Sequence, residues 1–205
     1  MKTETNNEQL ILEAAEAEFL EKGYSNTKTT AIAKRAGVTH AMLHYYFRTK
    51  EKLFQKVFQN KVRLVGDSFY QDVNENLSFE ETIRKFIESH FDFISRNPKL
   101  LNFVYNEVVI NKENRRFLLD QIHSKVGDVM RSVDKLLSAE ILKGTVRPVK
   151  IHDLFINIAA MNAVTFMVLS VAEDLIPGEN TDFFDHLIRE RKESNVQFVL
   201  NALKI

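Results

Sequence analysis

Apolar residues recur along most of this chain at the three- and four-residue spacing of a single helix face. Ile11, Ala15 and Phe19 stand four apart with Leu12 beside them, which predicts a helix over Glu8–Lys22 ended by Gly23. From Thr27 to Lys50 the pattern breaks into two short helices. Ile32, Ala33 and Ala36 line the first, Gly37 can end it with a positive φ, and Thr39 suits the N-cap of the second. Leu43 and Phe47 then share one face of that second helix. Ala41 and Tyr45 fall on the opposite side, flanked by Met42 and His44. Thr27 is the expected cap of the first short helix, and Thr49 that of a fourth helix running from Lys50 towards Val73, with Leu53, Val57, Leu64 and Phe69 inward.

Longer helices follow. Ser78 and Glu81 form a capping box ahead of Phe86, Ile87, Phe91 and Ile94, and Pro98 opens the next helix at its first position. Lys112–Lys143 reads as one long helix stopped by Gly144. Ile151–Ala172 is apolar almost all the way round and must be covered on more than one side. A loop at Ile176–Asn180 precedes a last helix carrying Phe184, Leu187, Ile188, Val196, Phe198, Val199 and Leu203. With three prolines and six glycines in 205 residues, the expectation is an all-α protein. A three-helix N-terminal head over 1–50 would precede a larger helical bundle over 51–205.

Composition narrows the function. The chain has no cysteine, so it holds no disulfide and no thiolate metal site. The polar start, residues 1–7, precedes no apolar core and is not expected to be a secretory signal. The longest apolar run, Ile158–Leu169, contains Asn162 and Thr165 and falls short of the roughly 20 residues of a span, so no membrane partner is expected. No phosphate-cradling glycine loop, nucleophile elbow or zinc motif is present, and neither an enzyme nor a cofactor is expected. Charge is zero overall, from 28 basic and 28 acidic residues, but unevenly placed. Lys22, Lys28, Lys34, Arg35, Arg48, Lys50, Lys52, Lys56, Lys61 and Arg63 fall in one segment whose single acid is Glu51, the footprint of phosphate contact.

The stretch Ile32-Ala33-x-x-Ala36-Gly37-Val38-Thr39, followed by Leu43-x-Tyr45-Tyr46-Phe47-x-x-Lys50-Glu51-x-Leu53, resembles the DNA-binding signature of TetR-family transcriptional regulators, over roughly residues 8–54. The resemblance implies a helix-turn-helix whose second helix enters the major groove of an operator. It places His40, Ala41, Met42 and His44 at base edges, and Tyr45, Tyr46 and Lys50 at phosphates. Lys28, Thr29 and Thr30 can add phosphate contacts from the first motif helix. Imidazole can donate to guanine or accept when neutral, and Ala41 and Met42 suit a thymine methyl. Met42 and His44 depart from the family's usual residues, so the operator cannot be carried over.

The same resemblance implies a cytoplasmic repressor, a homodimer through the last two helices, and a small-molecule effector. Polar and aromatic residues within the apolar helices of the body are the candidate lining: His90, Phe93, Phe103, Tyr105, Glu107, His123, Met130, Asn157, Met161, Asn162 and Phe166. Each also has an ordinary reading as core, interhelical bond or dimer contact. His40 and His44 are spaced for a metal, but no third ligand stands near them in sequence, and none is expected. Two other classes share parts of this pattern. A non-specific architectural nucleic-acid binder would use the basic segment, and a helical small-molecule or lipid carrier would use the apolar body.

Overall fold

Several helix ends in this protein are set by residues that the pattern singled out, among them Gly37, Thr39 and Ser78. The computed structural model describes residues 2–70, 77–176 and 181–205. The expected end of the fourth helix at Val73 and the loop over 177–180 lie outside them. The helices are α1 (Lys2–Asn26), α2 (Thr29–Ala36), α3 (His40–Tyr46), α4 (Lys50–Tyr70), α5 (Phe79–Arg96), α6 (Pro98–Val104), α7 (Lys112–Lys143), α8 (Ile151–Leu175) and α9 (Thr181–Leu203). A π-helical turn over Tyr105–Ile110 follows α6, and one isolated bridge pairs Val146 with Lys204. Helix α1 is broken at Gly23, where φ is 75°.

The capping box at Ser78 is complete, and Thr49 Oγ accepts from the Lys52 amide at 3.1 Å. Thr27 is not a cap. The N-cap of α2 is Lys28, while the Thr27 hydroxyl lies 2.8 Å from the Gly23 carbonyl and 3.1 Å from that of Glu18. The buried hydroxyl is thus turned back to α1 rather than to the amides of α2.

The chain divides into two compact units, residues 1–64 with 99–123 and residues 65–98 with 124–205. The segment 1–50 therefore lies within a unit that also takes in the start of α4, α6, the π turn and the start of α7. Its core is aromatic. Phe19, Phe54, Phe58 and Phe103 are buried with Ile11, Ile32, Leu43, Phe47 and Leu53, and the Phe19 and Phe54 rings meet edge to face at 5.2 Å. At about 1.5–3 kcal/mol per large side chain buried, this cluster holds the small unit together.

The second unit packs α5, α8 and α9 together with the later part of α7. Its core is mostly aliphatic: Ile83, Ile87, Val133, Leu137, Leu154, Ile158, Val196, Val199 and Leu203. Ile151–Leu169 forms a 19-residue stretch long and apolar enough to cross a membrane, longer than the run read from the sequence. In the bundle this helix buries the stripe Ile151, Leu154, Ile158, Asn162 and Thr165.

Candidate nucleic-acid interface

The turn between α2 and α3 is a glycine-capped corner. Gly37 takes φ 69° and ψ 24°, and the Val38 amide reaches back to the Ala33 carbonyl at 3.0 Å. Ala33 is buried where α2 meets α3, and a larger side chain there would hold the helices apart. Thr39 then caps α3, its hydroxyl accepting from the Met42 amide at 3.1 Å.

Burying Leu43 and Phe47 fixes which residues face out. His40, Ala41, His44 and Tyr45 are exposed, Met42 is half-buried, and Tyr46 packs partly against the core of its unit. The Tyr45 and Tyr46 rings meet edge to face at 5.3 Å. Thr29 joins α2 to this face, its hydroxyl 2.9 Å from His40 Nε2. The His40 ring stands edge-on to His44 at 4.4 Å, and His44 Nδ1 lies 3.2 Å from the Arg48 carbonyl. Lys28 and Thr30 are exposed at the start of α2. The structure thus gathers nine of the ten residues assigned from sequence along the α2 start and α3, Tyr46 with its ring partly against the core.

Lys50 is the exception. Its ammonium donates to the carbonyls of Tyr24 at 2.8 Å and Thr27 at 3.0 Å, with that of Ser25 at 3.5 Å, and sits 4.4 Å from the centre of the Tyr24 ring. These carbonyls lie at and just after the end of α1, where the helix dipole is negative, and a lysine at the first position of α4 suits them. Tyr24 is held from its other side too. Its amide donates to Glu107 Oε1 at 2.7 Å, and Glu107 Oε2 accepts from Asn114 at 2.7 Å and Asn111 at 3.3 Å. A Cβ on Gly23 would stand 3.3 Å from that same Oε1.

The basic segment is also less uniform than its sequence. Acids on α1 reach across to it: Glu18 pairs with Lys22 at 2.6 Å and Arg35 at 3.4 Å, and Glu16 pairs with Lys61 at 2.6 Å. Glu21 pairs with Arg35 at 3.1 Å and Lys99 at 3.7 Å, and the Arg35 hydrogen bond lowers its pKa below the usual carboxylate range. Among the described residues, the exposed bases of this segment outside those ion pairs are Lys28, Lys34, Arg48, Lys52 and Lys56. Arg48 directly follows Phe47 and Lys52 lies in the first turn of α4, both exposed beside the residues assigned from sequence.

Residues 11–57 match the family model described as bacterial regulatory proteins, tetR family. This is the segment just described, from the buried face of α1 through the motif into α4. The chain belongs to the TetR family of transcriptional regulators. Among curated relatives, the fatty acid metabolism regulator protein of Bacillus subtilis is 24% identical over 134 residues, which is 65% of this chain and 66% of that one. Two solved structures share the fold from end to end. A TetR-family transcription regulator from Marinobacter aquaeolei superposes with a TM-score of 0.72 at 18% identity, covering 99% of this chain and 98% of that one. FadR from Bacillus subtilis in complex with stearoyl-CoA gives 0.68 at 18% identity, covering 95% and 98%.

In this TetR-family chain the candidate effector residues are divided between the two units. Phe103 and Glu107 are buried in the first, Phe103 in its aromatic core and Glu107 as the acceptor already described; Tyr105 is exposed there. The side chain of His123 lies outside the described residues. In the second unit Met130 and Met161 pack against the core, Phe166 meets Phe91 at 4.8 Å, Phe93 is half-buried, and Asn157 is exposed. His90 and Asn162 belong to a polar knot. The Asn162 amide donates to the Ile87 carbonyl and to His90 Nδ1, both at 3.0 Å, and its oxygen accepts from Asn195 at 2.9 Å. Burial pushes the His90 pKa down from 6.5 to about 4. These bonds give Glu107, His90 and Asn162 structural occupations that a reading of single residues does not reveal.

Proposed function

We propose that this TetR-family regulator is a homodimeric, cytoplasmic repressor that leaves a pseudo-palindromic operator when an apolar small molecule binds. The observation that carries the reading is the outer side of α3, where imidazole, phenol and small apolar groups stand exposed because Leu43 and Phe47 hold the other side in the core. A short helix presented this way on a Gly37 corner fits a major groove, and Lys28, Lys34, Arg48 and Lys52 supply nearby positive charge. The segments 1–50 and 51–205 divide the work between DNA and effector.

Dimerisation through α8 and α9 is supported by an apolar face of α8 that the described residues leave open. Two-fold symmetry then requires paired half-sites about one helical turn, or a multiple, apart. The effector acts by population shift: it weakens operator binding by the factor by which operator weakens its own. A long acyl chain, free or as a thioester, is the first effector to test, because the Bacillus subtilis relative is named for fatty acid metabolism and the FadR structure holds stearoyl-CoA.

The test is selection of sheared genomic DNA by the full-length protein at near-physiological salt, followed by titration of the recovered site with stearoyl-CoA. One enriched pseudo-palindrome whose affinity falls as acyl-CoA is added is the expected result. Equal recovery of all fragments would favour an architectural role, and equal acyl-CoA affinity with and without operator would remove the switch.

A further inference from the structure

His44 points its ring towards the end of α3, where Nδ1 lies 3.2 Å from the Arg48 carbonyl oxygen. A carbonyl oxygen only accepts, so Nδ1 carries the hydrogen. In the neutral ring that leaves Nε2 bare, with a lone pair and no proton. The side chain is exposed, and no hydrogen bond among the described residues engages Nε2. His40 differs. Its partner is the Thr29 hydroxyl, which can donate or accept, so either tautomer satisfies that contact.

We infer that His44 reads its base as a hydrogen-bond acceptor, and therefore selects an exocyclic amino group, adenine N6 or cytosine N4. The inference rests on α3 entering the major groove and adds what one of its side chains recognises there. Guanine N7 and O6 are both acceptors, so against the neutral ring two lone pairs would face each other. Guanine suits only the doubly protonated ring. The lock is local: Arg48 offers a main-chain oxygen, so it survives any change of the Arg48 side chain. A histidine at this position, taken alone, reads either way; the carbonyl beside Nδ1 decides.

The test uses the full-length protein at pH 8.5. Selection from randomised duplexes, with wild type and His44→Ala in parallel, finds the base pair whose preference depends on His44. Purine in place of adenine, or pyrimidin-2-one in place of cytosine, then deletes the amino group at that pair, and a 7-deazapurine deletes N7. Loss of the amino group is expected to weaken wild type by about fivefold, the worth of one ordinary hydrogen bond, and to leave His44→Ala unchanged. Deleting N7 is expected to affect the two proteins alike. A loss on N7 deletion seen only with His44 present would overturn the inference. If His44→Ala keeps every base preference of wild type, the inference falls while sequence-specific regulation stands. If wild type binds all duplexes equally, that reading falls and takes the inference with it.

Discussion

Helices α3 and α8 each bury one stripe in their own unit and leave the opposite stripe uncovered. On α3 the uncovered residues are His40, Ala41, His44 and Tyr45, the last 67% exposed. On α8, beyond Asn157, the described exposed positions are Ala159, Ala160, Val164, Met167, Val168, Val171 and Leu175. Val164, Val168 and Leu175 are 52, 59 and 74% exposed. The first stripe carries donors, acceptors and one methyl, and water is a tolerable neighbour for it. The second offers only hydrocarbon and a thioether, and each Å² removed from water gains about 25 cal/mol. The same helical periodicity therefore presents two outer stripes of opposite chemistry. What separates them is the composition of the outer stripe.

Charging the apolar stripe should have the largest effect. Val164→Glu with Val168→Glu is expected to convert dimer to monomer and weaken operator binding more than about a thousandfold, since a buried carboxylate pair without partners cannot be tolerated in an interface. Analytical ultracentrifugation and fluorescence anisotropy read the two quantities. A double variant that stays dimeric would move the interface elsewhere and leave the α8 stripe unexplained.

The next effect belongs to the first unit and does not touch the DNA face. Glu107→Ala removes a buried carboxylate and its hydrogen bonds from the Tyr24 amide, Asn111 and Asn114. A loss of about 4 kcal/mol in denaturant melts is expected, because each hydrogen bond to a charged group is worth about 1.5–3 kcal/mol. Glu107→Gln keeps one carbonyl oxygen and should lose about half as much. Equal, small losses for both would mean that water replaces the carboxylate.

These bonds also mark where the sequence stops being readable. Gly37, Thr39, Thr49, the Ser78–Glu81 box and Gly144 act on neighbours a few residues away, and each could be read from local spacing. Glu107 meets Tyr24 across 83 residues, and Asn195 meets Asn162 across 33. No periodicity carries such pairs, so Glu107 and Asn162 read as polar intrusions suited to a ligand. The charge segment is less uniform than its sequence for the same reason: Arg35 and Glu21, 14 apart, meet only once α1 and α2 are packed. The outer side of α3 was legible because Leu43 and Phe47 declare the inner side, and the helix is too short to bend away from that assignment. Thr27 and Lys50 were legible as polar residues near helix starts. That their hydrogens go to the end of α1 follows only from the fold.

In the second unit the polar knot gives a pH signature. Burial lowers the His90 pKa from 6.5 to about 4, and the Asn162 amide needs Nδ1 bare. The unfolded chain thus binds this proton more readily than the folded one. Its contribution to stability is complete above about pH 6.5, declines as pH falls towards 4, and is fully lost below it; the difference is roughly 3 kcal/mol. Urea melts between pH 7 and 4 should show the decline, and His90→Gln should flatten it. An unchanged slope in that variant would assign the acid sensitivity to other groups.

The smallest effect separates two uses of one cation. If the Lys50 ammonium serves the carbonyls of Tyr24 and Thr27, Lys50→Met should lower the stability of the DNA-free protein by about 1–2 kcal/mol, the worth of charged hydrogen bonds only partly buried. The same variant should leave the dependence of operator affinity on salt nearly unchanged. If the side chain instead swings out to a phosphate, the free protein should melt as wild type, and the slope of log K against log salt should fall by about 0.9 per contact. A dimer presents two copies, so the slope change would double while the stability change per chain would not. Arg48→Met supplies the contrast, because its exposed side chain should move the slope and leave the melt alone. The pair of variants thus tells a base that holds the reading head together from one that holds it to DNA.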